Sequence, residues 1–250
     1  MGALHEGHLS LVRAAKAQSG FVVVSLFVNP LQFGPKEDLA KYPRSFERDQ
    51  ELLEREGVDL LFAPSVAEMY PATAVTYVNV EGLSERLDGQ SRPGHFRGVT
   101  TVVSKLFHIV EPDVAVFGQK DAAQVAIIKR MVRDLNMPVQ IAVGPIVREP
   151  DGLAMSSRNA YLDPKQRKQA LLLSRALARV EQQFKRGERS ALHLMAAGRE
   201  VFAEEPSVRF DYFSIVDPES LEPVEDISHP ALVAVAAFVG TTRLRLITWC

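Results

Sequence analysis

With 250 residues, 46% of them hydrophobic and 24% charged, the chain has the make-up of a globular protein of one large or two small domains, which excludes a mostly disordered or collagen-like chain. A net charge of −2 removes any global electrostatic case for binding nucleic acid, and the single cysteine, Cys250, excludes an intrachain disulfide or a zinc ribbon, so a reducing cytoplasm is the expected compartment. No apolar run is long enough to predict a membrane span, and the opening residues lack the basic and apolar segments of a signal peptide.

In chain order, apolar residues at helical spacing predict a helix from Leu9 to Ala17. The run Phe21 to Val28 predicts a strand buried on both faces, as in a parallel sheet, ended by Asn29-Pro30. Ser45 to Arg55 reads as a second helix with Gly57 as its stop signal, Val58 to Phe62 as a short strand, and Val75 to Val80 as a possible third. Phe96 to Val110 is helical, Pro112 breaks it, and Val114 to Phe117 is the next buried strand. Asp121 is placed to cap a helix from Ala122 to Leu135, and Val139 to Val143 is a further strand. Strands alternating with helices predict an α/β domain with a parallel sheet.

After about residue 160 the pattern changes. Asp163-Pro164 opens a long helix to about Lys185, a second helix covers Ser190 to Ala203, and three strands follow over Val208 to Val216, Ala231 to Phe238 and Thr242 to Ile247. The basic-rich stretch 163–189 reads as a solvated helix face. The fold expected is therefore an α/β, Rossmann-like parallel-sheet domain over residues 1–155 and a smaller α+β domain over 156–250.

Several segments carry chemistry-bearing residues. His5-Glu6-Gly7-His8 stands just before a helix. Its histidines are three apart, not the four a zinc-protease helix needs, and His8-Leu9 stand where a Walker loop has its lysine and hydroxyl. A glycine turn entering a helix still offers free N–H groups and a positive dipole end to phosphate, and imidazoles beside it donate hydrogen bonds without a fixed charge. On the residues alone, a helix-capping turn with two incidental histidines competes with that reading. Gly118-Gln119-Lys120-Asp121 follows a strand directly, where ligands of open α/β sheets sit; an ordinary polar loop is the rival. The segment Asp151 to Asn159 sets Ser156, Ser157 and Arg158 in a row, either a clamp on a polyphosphate or a solvated turn. Gln32, after the strand 21–28, and Gln124, on the first turn after Asp121, offer both donors and acceptors for a small hydroxy acid.

These segments, with Tyr42-Pro43-Arg44 and Arg92-Pro93-Gly94-His95-Phe96, resemble in order and over nearly the whole chain the motifs of the pantoate–β-alanine ligases. These belong to the nucleotidyl-transfer superfamily related to class I aminoacyl-tRNA synthetases. The resemblance implies ATP-dependent condensation of pantoate with β-alanine through a pantoyl adenylate. It implies that Met1, Gly2, Ala3, Leu4, His5, Glu6, Gly7 and His8 contact ATP, with His5 and His8 on the triphosphate and His8 donating a hydrogen bond or proton to the leaving pyrophosphate. Lys120 would neutralise the α-phosphate, Gly118, Gln119 and Asp121 would complete the lysine loop with Gly118 and Asp121 on the ribose, and Val147 would lie near the adenine. Met155, Ser156, Ser157 and Arg158 would close on the β- and γ-phosphates. Gln32 and Gln124 would hold pantoate, with Asp49 and His95 near the same pocket. No protein-bound metal site is implied; Mg2+ is expected on the phosphates, held largely by ATP. A homodimer, with no nucleic-acid or membrane partner, is also implied.

Two departures from the family pattern carry expectations. The family places a strand before the Met1-Gly2 turn, so a chain starting at Met1 is expected to be less stable and less active than one extended upstream. The ending Arg243 to Cys250 diverges from the usual Arg-Leu-Ile-Asp-Asn, which leaves the ATP loops untouched. The rival functions are another adenylyl- or cytidylyltransferase with a different acid or phosphate acceptor, of which the uncharged Gln32 and Gln124 argue against the phosphorylated one, and a non-catalytic ATP-binding remnant.

Overall fold

The computed structural model describes residues 2–35 and 37–250. It divides into two compact units, Met1–Val147 and Arg148–Cys250.

In the first unit, helix α1 (Glu6–Lys16) starts three residues earlier than its apolar spacing predicted. Strand β1 covers only Val23–Ser25, helix α2 follows over Phe46–Arg55, and β2 (Leu60–Phe62) pairs with β1 in parallel. Short helices α3 (Val66–Met69) and α4 (Asp88–Ser91) precede the long helix α5 (His95–Val110). Strand β3 (Val114–Gly118), helix α6 (Ala122–Asp134) and strand β4 (Gln140–Gly144) complete the unit, with β3 and β4 parallel.

Two sequence expectations are corrected here. The run Phe21–Val28 does not form a strand buried on both faces: only three residues pair, Val22 and Val24 point into the core, and Phe21 is 62% exposed. Beyond Ser25 the backbone makes one more bond to this pair, Leu26 N to Phe62 O (2.9 Å), before the chain enters the 3-10 turn Pro30–Gln32. Val75 to Val80 is not a strand either. Its backbone is held by side chains of α5: Thr101 Oγ1 accepts from Val78 N (3.0 Å), and Thr100 Oγ1 donates to Val78 O (2.6 Å).

Helix α1 lies across both strand pairs. Its Val12 joins Leu4, Val22, Val24 and Leu53 in a buried cluster. On the other side its Leu11 reaches Gly118 and Gly144, which are register partners at the ends of β3 and β4. A Cβ at Gly144 would stand 2.3 Å from Leu11 Cδ2, so glycine at this strand end gives the helix its close seat. Helix α5 approaches the 3-10 turn Pro30–Gln32 in the same way: a Cβ on Gly98 would lie 2.3 Å from the Leu31 carbonyl oxygen.

The second unit opens with a narrow loop bridged between Arg148 and Ala154. Helix α7 (Pro164–Lys185) begins with a reciprocal cap in which Asp163 accepts from Gln166 N (2.8 Å) and Gln166 Oε1 accepts from Asp163 N (3.1 Å). Helix α8 (Ala191–Glu200) tightens into a 3-10 turn, Val201–Glu204. Strands β5 (Arg209–Val216), β6 (Leu232–Val239) and β7 (Thr242–Trp249) form an antiparallel sheet in sequence order. The fold class is thus α/β with parallel pairing first and an antiparallel C-terminal sheet second. Among the described residues no helix is long and apolar enough to cross a membrane.

Because the Gly98 clash is with backbone, Gly98→Ala should cost about 1–3 kcal/mol of stability. Gly20→Ala, whose Cβ would meet nothing within 4 Å, should melt like the parent. Equal melting temperatures for both variants would refute the close-approach account.

Candidate active site

The turn before α1 is held at its backbone. Leu4 is 1% exposed; its N–H donates to the buried Asp49 Oδ1 at 2.7 Å, while Arg48 Nη1 donates to its carbonyl at 3.3 Å. Ala3 takes the left-handed conformation (φ 50°), a strained choice for a residue with a side chain. Helix α2 therefore clamps the turn, and the Asp49 carboxylate expected near the ligand pocket is committed to that clamp. His5, in extended conformation, is the N-cap residue of α1, and its carbonyl accepts from His8 N (2.7 Å) and Leu9 N (3.1 Å). The N–H groups of Glu6 and Gly7 have no hydrogen-bond partner among the described residues, as expected for a first helical turn that can meet an anion.

The rings of His5 and His8 are 4.0 Å apart. Burial, then the neighbouring charges of His5 and Lys120, push the pKa of His8 down to about 3. His8 is therefore neutral near pH 7. Its Nδ1 receives a long bond from His5 N (3.4 Å), so Nε2 carries the proton and is the donor.

Lys120 and Asp121 stand in the 3-10 turn Gln119–Asp121 beyond β3, close enough to His8 to act on its charge. Lys120 Nζ is 3.7 Å from Asp121 Oδ1 and its side chain is 24% exposed. Asp121 occupies the N-cap position of α6, but its side chain makes no capping bond; its carboxylate faces Lys120 instead, which corrects its expected role as a side-chain cap. Gly118 ends β3 in register with Gly144, and Gln124 lies half-buried on the first turn of α6.

Gln32 is fixed at both ends. Its carbonyl accepts from Arg92 Nη2 (3.2 Å) and His95 Nδ1 (2.8 Å). Arg92 Nη1 donates to His95 Nε2 (3.0 Å), which makes Nδ1 the protonated nitrogen. Arg92 in turn forms two parallel 2.6 Å bonds with Glu37; burial opposes the Glu37 charge, but Arg92 outweighs it and holds the carboxyl below its usual range. His95, expected near the pocket, is 5% exposed and spends both ring nitrogens on this scaffold. The side-chain amide of Gln32 meets Asn29, whose Nδ2 donates to Gln32 Oε1 (3.2 Å) and to Gly98 O (3.0 Å). Tyr70, which donates to Asn29 Oδ1 (2.7 Å), did not stand out as a site residue in the sequence; Asn29 lies in the segment that carries Gln32, Phe27-Val28-Asn29-Pro30-Leu31-Gln32-Phe33, but had no role of its own there.

Val147 is the last residue of the first unit, and Met155, Ser156, Ser157 and Arg158 belong to the second. In the second unit, Ser156 Oγ accepts from Arg158 N (3.3 Å) and caps the 3-10 turn Ser157–Tyr161. Beneath it, Asn159 Nδ2 donates to Glu149 Oε1 (2.6 Å) and Ala154 O (3.0 Å), and Arg167 of α7 pairs with both Glu149 (2.5 Å) and Asp151 (2.7 Å). Met1 lies outside the described residues. No cluster of three or more His, Cys, Asp or Glu able to hold a metal occurs among the described residues.

A helix N-terminus, two imidazoles and a lysine gathered beyond the carboxyl end of a parallel strand suit an α/β enzyme acting on an anionic substrate. A family model described as pantoate-beta-alanine ligase matches residues 1–247. The pantothenate synthetase of Koribacter versatilis is 64% identical over 244 residues, spanning 98% of this chain and 84% of that one. That of Acidobacterium capsulatum is 66% identical over 98% of this chain and 82% of its own. Among solved structures, the pantothenate synthetase of Thermus thermophilus matches with a TM-score of 0.96 at 50% identity, covering 99% of this chain and 90% of that one. The pantoate-beta-alanine ligase of Francisella tularensis, complexed with beta-gamma ATP and beta-alanine, matches with a TM-score of 0.75 at 31% identity over 99% and 86%. The chain belongs to the pantoate-beta-alanine ligase family and is a ligase.

The depressed pKa of His8 makes stability pH-dependent. Between about 6.5 and about 3 the unfolded chain binds a proton at His8 that the folded chain does not. Stability contributed by the neutral ring is therefore full above pH 6.5 and declines as the pH falls through that window. The parent should lose stability faster than His8→Gln between pH 6.5 and 4, by up to about 1.4 kcal/mol per pH unit. Parallel denaturation curves across that range would contradict the burial of a neutral ring.

Proposed function

We propose that this chain joins pantoate to β-alanine at the expense of ATP. The pantoate carboxylate attacks the α-phosphorus, an O–P bond forms, and the bond to the leaving pyrophosphate breaks. The β-alanine amine then attacks the acyl carbon of pantoyl adenylate, loses a proton, and expels AMP as the amide forms. A carboxylate is a poor acyl donor; AMP makes it a good one. The protein's task is to align the in-line attack and to meet charge as it develops on the phosphates.

The observation that carries this reading is the neutral His8 beside Lys120 at the start of α1. A neutral ring with its proton on Nε2 donates to a phosphate oxygen without giving up that proton. The lysine supplies the fixed positive charge. His5 and the free N–H groups of the first helical turn serve the triphosphate with His8. In this assignment the turn Gly2–Leu4 contributes backbone to the ATP site, and Gln119 helps shape the lysine loop. Gly118 and Asp121 take the ribose and Val147 the adenine. Met155, Ser156, Ser157 and Arg158 take the β- and γ-phosphates. Gln32 and Gln124 hold pantoate through uncharged hydrogen bonds, as suits a hydroxy acid. Magnesium enters as MgATP, its ligands supplied by the phosphates and water. Homodimer assembly through the first unit and a cytoplasmic location belong to the same proposal; sedimentation of the purified chain checks the former.

The direct test is AMP release that requires both pantoate and β-alanine; release with either acid or amine omitted would point to a different acceptor. His8→Ala and Lys120→Ala should each slow adenylate formation by at least ~100-fold, the scale of removing one transition-state donor. A variant that forms adenylate at the parental rate loses its assigned role. Gln124→Ala should raise the KM for pantoate and leave that for ATP in place; the reverse pattern would move Gln124 to the nucleotide.

A further inference from the structure

Gln32 and Asn29 form an amide chain whose direction is set by backbone groups. Asn29 is 4% exposed and uses its full hydrogen-bonding capacity. Its Oδ1 accepts from Leu31 N (3.3 Å) and from the Tyr70 hydroxyl (2.7 Å). Its Nδ2 donates to Gly98 O (3.0 Å) and to Gln32 Oε1 (3.2 Å). Leu31 N can only donate and Gly98 O can only accept, so the Asn29 amide has one possible sense. That sense turns the Gln32 oxygen toward Asn29 and leaves the Gln32 Nε2 without a hydrogen-bond partner among the described residues.

Tyr70 closes this chain. It sits at the end of α3, which is capped by Ser65 and Glu68, and its ring packs near Phe27 at 6.1 Å between centroids. Burial pushes its pKa up to about 12, so its hydroxyl remains a donor at any working pH. Its bond is the shorter of the two that Asn29 Oδ1 receives.

We infer that Tyr70 is a positioning residue for acid recognition: through Asn29 it fixes the Gln32 amide with its nitrogen outward, so that Gln32 offers N–H donors and selects an acceptor oxygen of the acid. This inference rests on the proposed assignment of Gln32 to pantoate. An amide fixed in the opposite sense would present an oxygen and repel a carboxylate. Without the tyrosine hydroxyl, Asn29 Oδ1 keeps only the longer Leu31 bond, so the backbone-set sense of the Asn29 and Gln32 amides is held less firmly.

The test is a double-mutant cycle of Tyr70→Phe and Gln32→Ala in the full chain, with KM for pantoate, ATP and β-alanine measured separately. Tyr70→Phe should raise the pantoate KM about tenfold, leave kcat within about twofold and leave the other two KM values unchanged. In the Gln32→Ala background it should have no further effect. If Gln32→Ala raises the pantoate KM while Tyr70→Phe does not, the relay is overturned and the pantoate assignment stands. If Gln32→Ala leaves the pantoate KM unchanged, the assignment itself fails and the relay with it. Equal effects of Tyr70→Phe in both backgrounds, or a rise in all three KM values with a lowered melting temperature, would show a general structural role and overturn the inference.

Discussion

Everything at the candidate site depends on how closely α1 can lie on the strand ends. Leu11 rests on Gly118 and Gly144, paired across β3 and β4, where a side chain on Gly144 would collide with it. His8 is one turn before Leu11, and the lysine turn begins one residue after Gly118. The glycines therefore set the distance from the imidazole to the ammonium. On the opposite side, Val12 buries against Val22, Val24 and Leu53, so the helix cannot rise from its seat without opening the core.

That seat has an electrostatic consequence. Burial removes the water that would have supported a positive charge on His8, and a second histidine and a lysine disfavour that charge further. A protonated ring would be the obvious partner for a triphosphate, yet here it would repel Lys120 before any ligand arrived. Keeping the ring neutral divides the work: the lysine carries charge, the histidine carries direction. The Asp49 bond to Leu4 N matters for the same reason, since it fixes the turn from which both rings project.

Much of this was legible in the sequence because it is local. Helical periodicity located α1, α2, α5, α6 and α7 to within a few residues, and the Asp163-Pro164 start of α7 carries the reciprocal cap that those residues imply. The alternation of strands and helices pointed to parallel pairing, and β1∥β2 and β3∥β4 supply it. What stayed hidden depends on partners distant in sequence. Val75–Val80 has strand-like residues, but its hydrogen bonds go to threonine side chains on α5, which no periodicity reveals. Asp49 was expected near the pantoate pocket; its partner, the Leu4 N–H, lies 45 positions away. Asn29 has its partners 41 and 69 positions away, in Tyr70 and Gly98. Asp121 shows the converse: its position as helix cap was readable, but a neighbouring lysine takes its carboxylate.

The polar groups that orient the site are themselves fully occupied, and this separates them from the groups left for ligands. Arg92 is spent on Glu37, His95 and the Gln32 carbonyl; Asn29 is spent on four partners. In the second unit Arg167 and the Asn159 Nδ2 likewise occupy Glu149 beneath the twin-serine turn, while Asn159 Oδ1 is buried without a partner among the described residues. Buried networks of this kind cost stability when half-satisfied and give rigidity when complete. The N–H groups of Glu6 and Gly7 and the amide nitrogen of Gln32 stand against that background as donors without acceptors among the described residues. A site built of saturated supports and unsaturated donors is complementary to an electron-rich ligand. That complementarity fits the two chemical groups the ligation must bring together, a polyphosphate and a carboxylate.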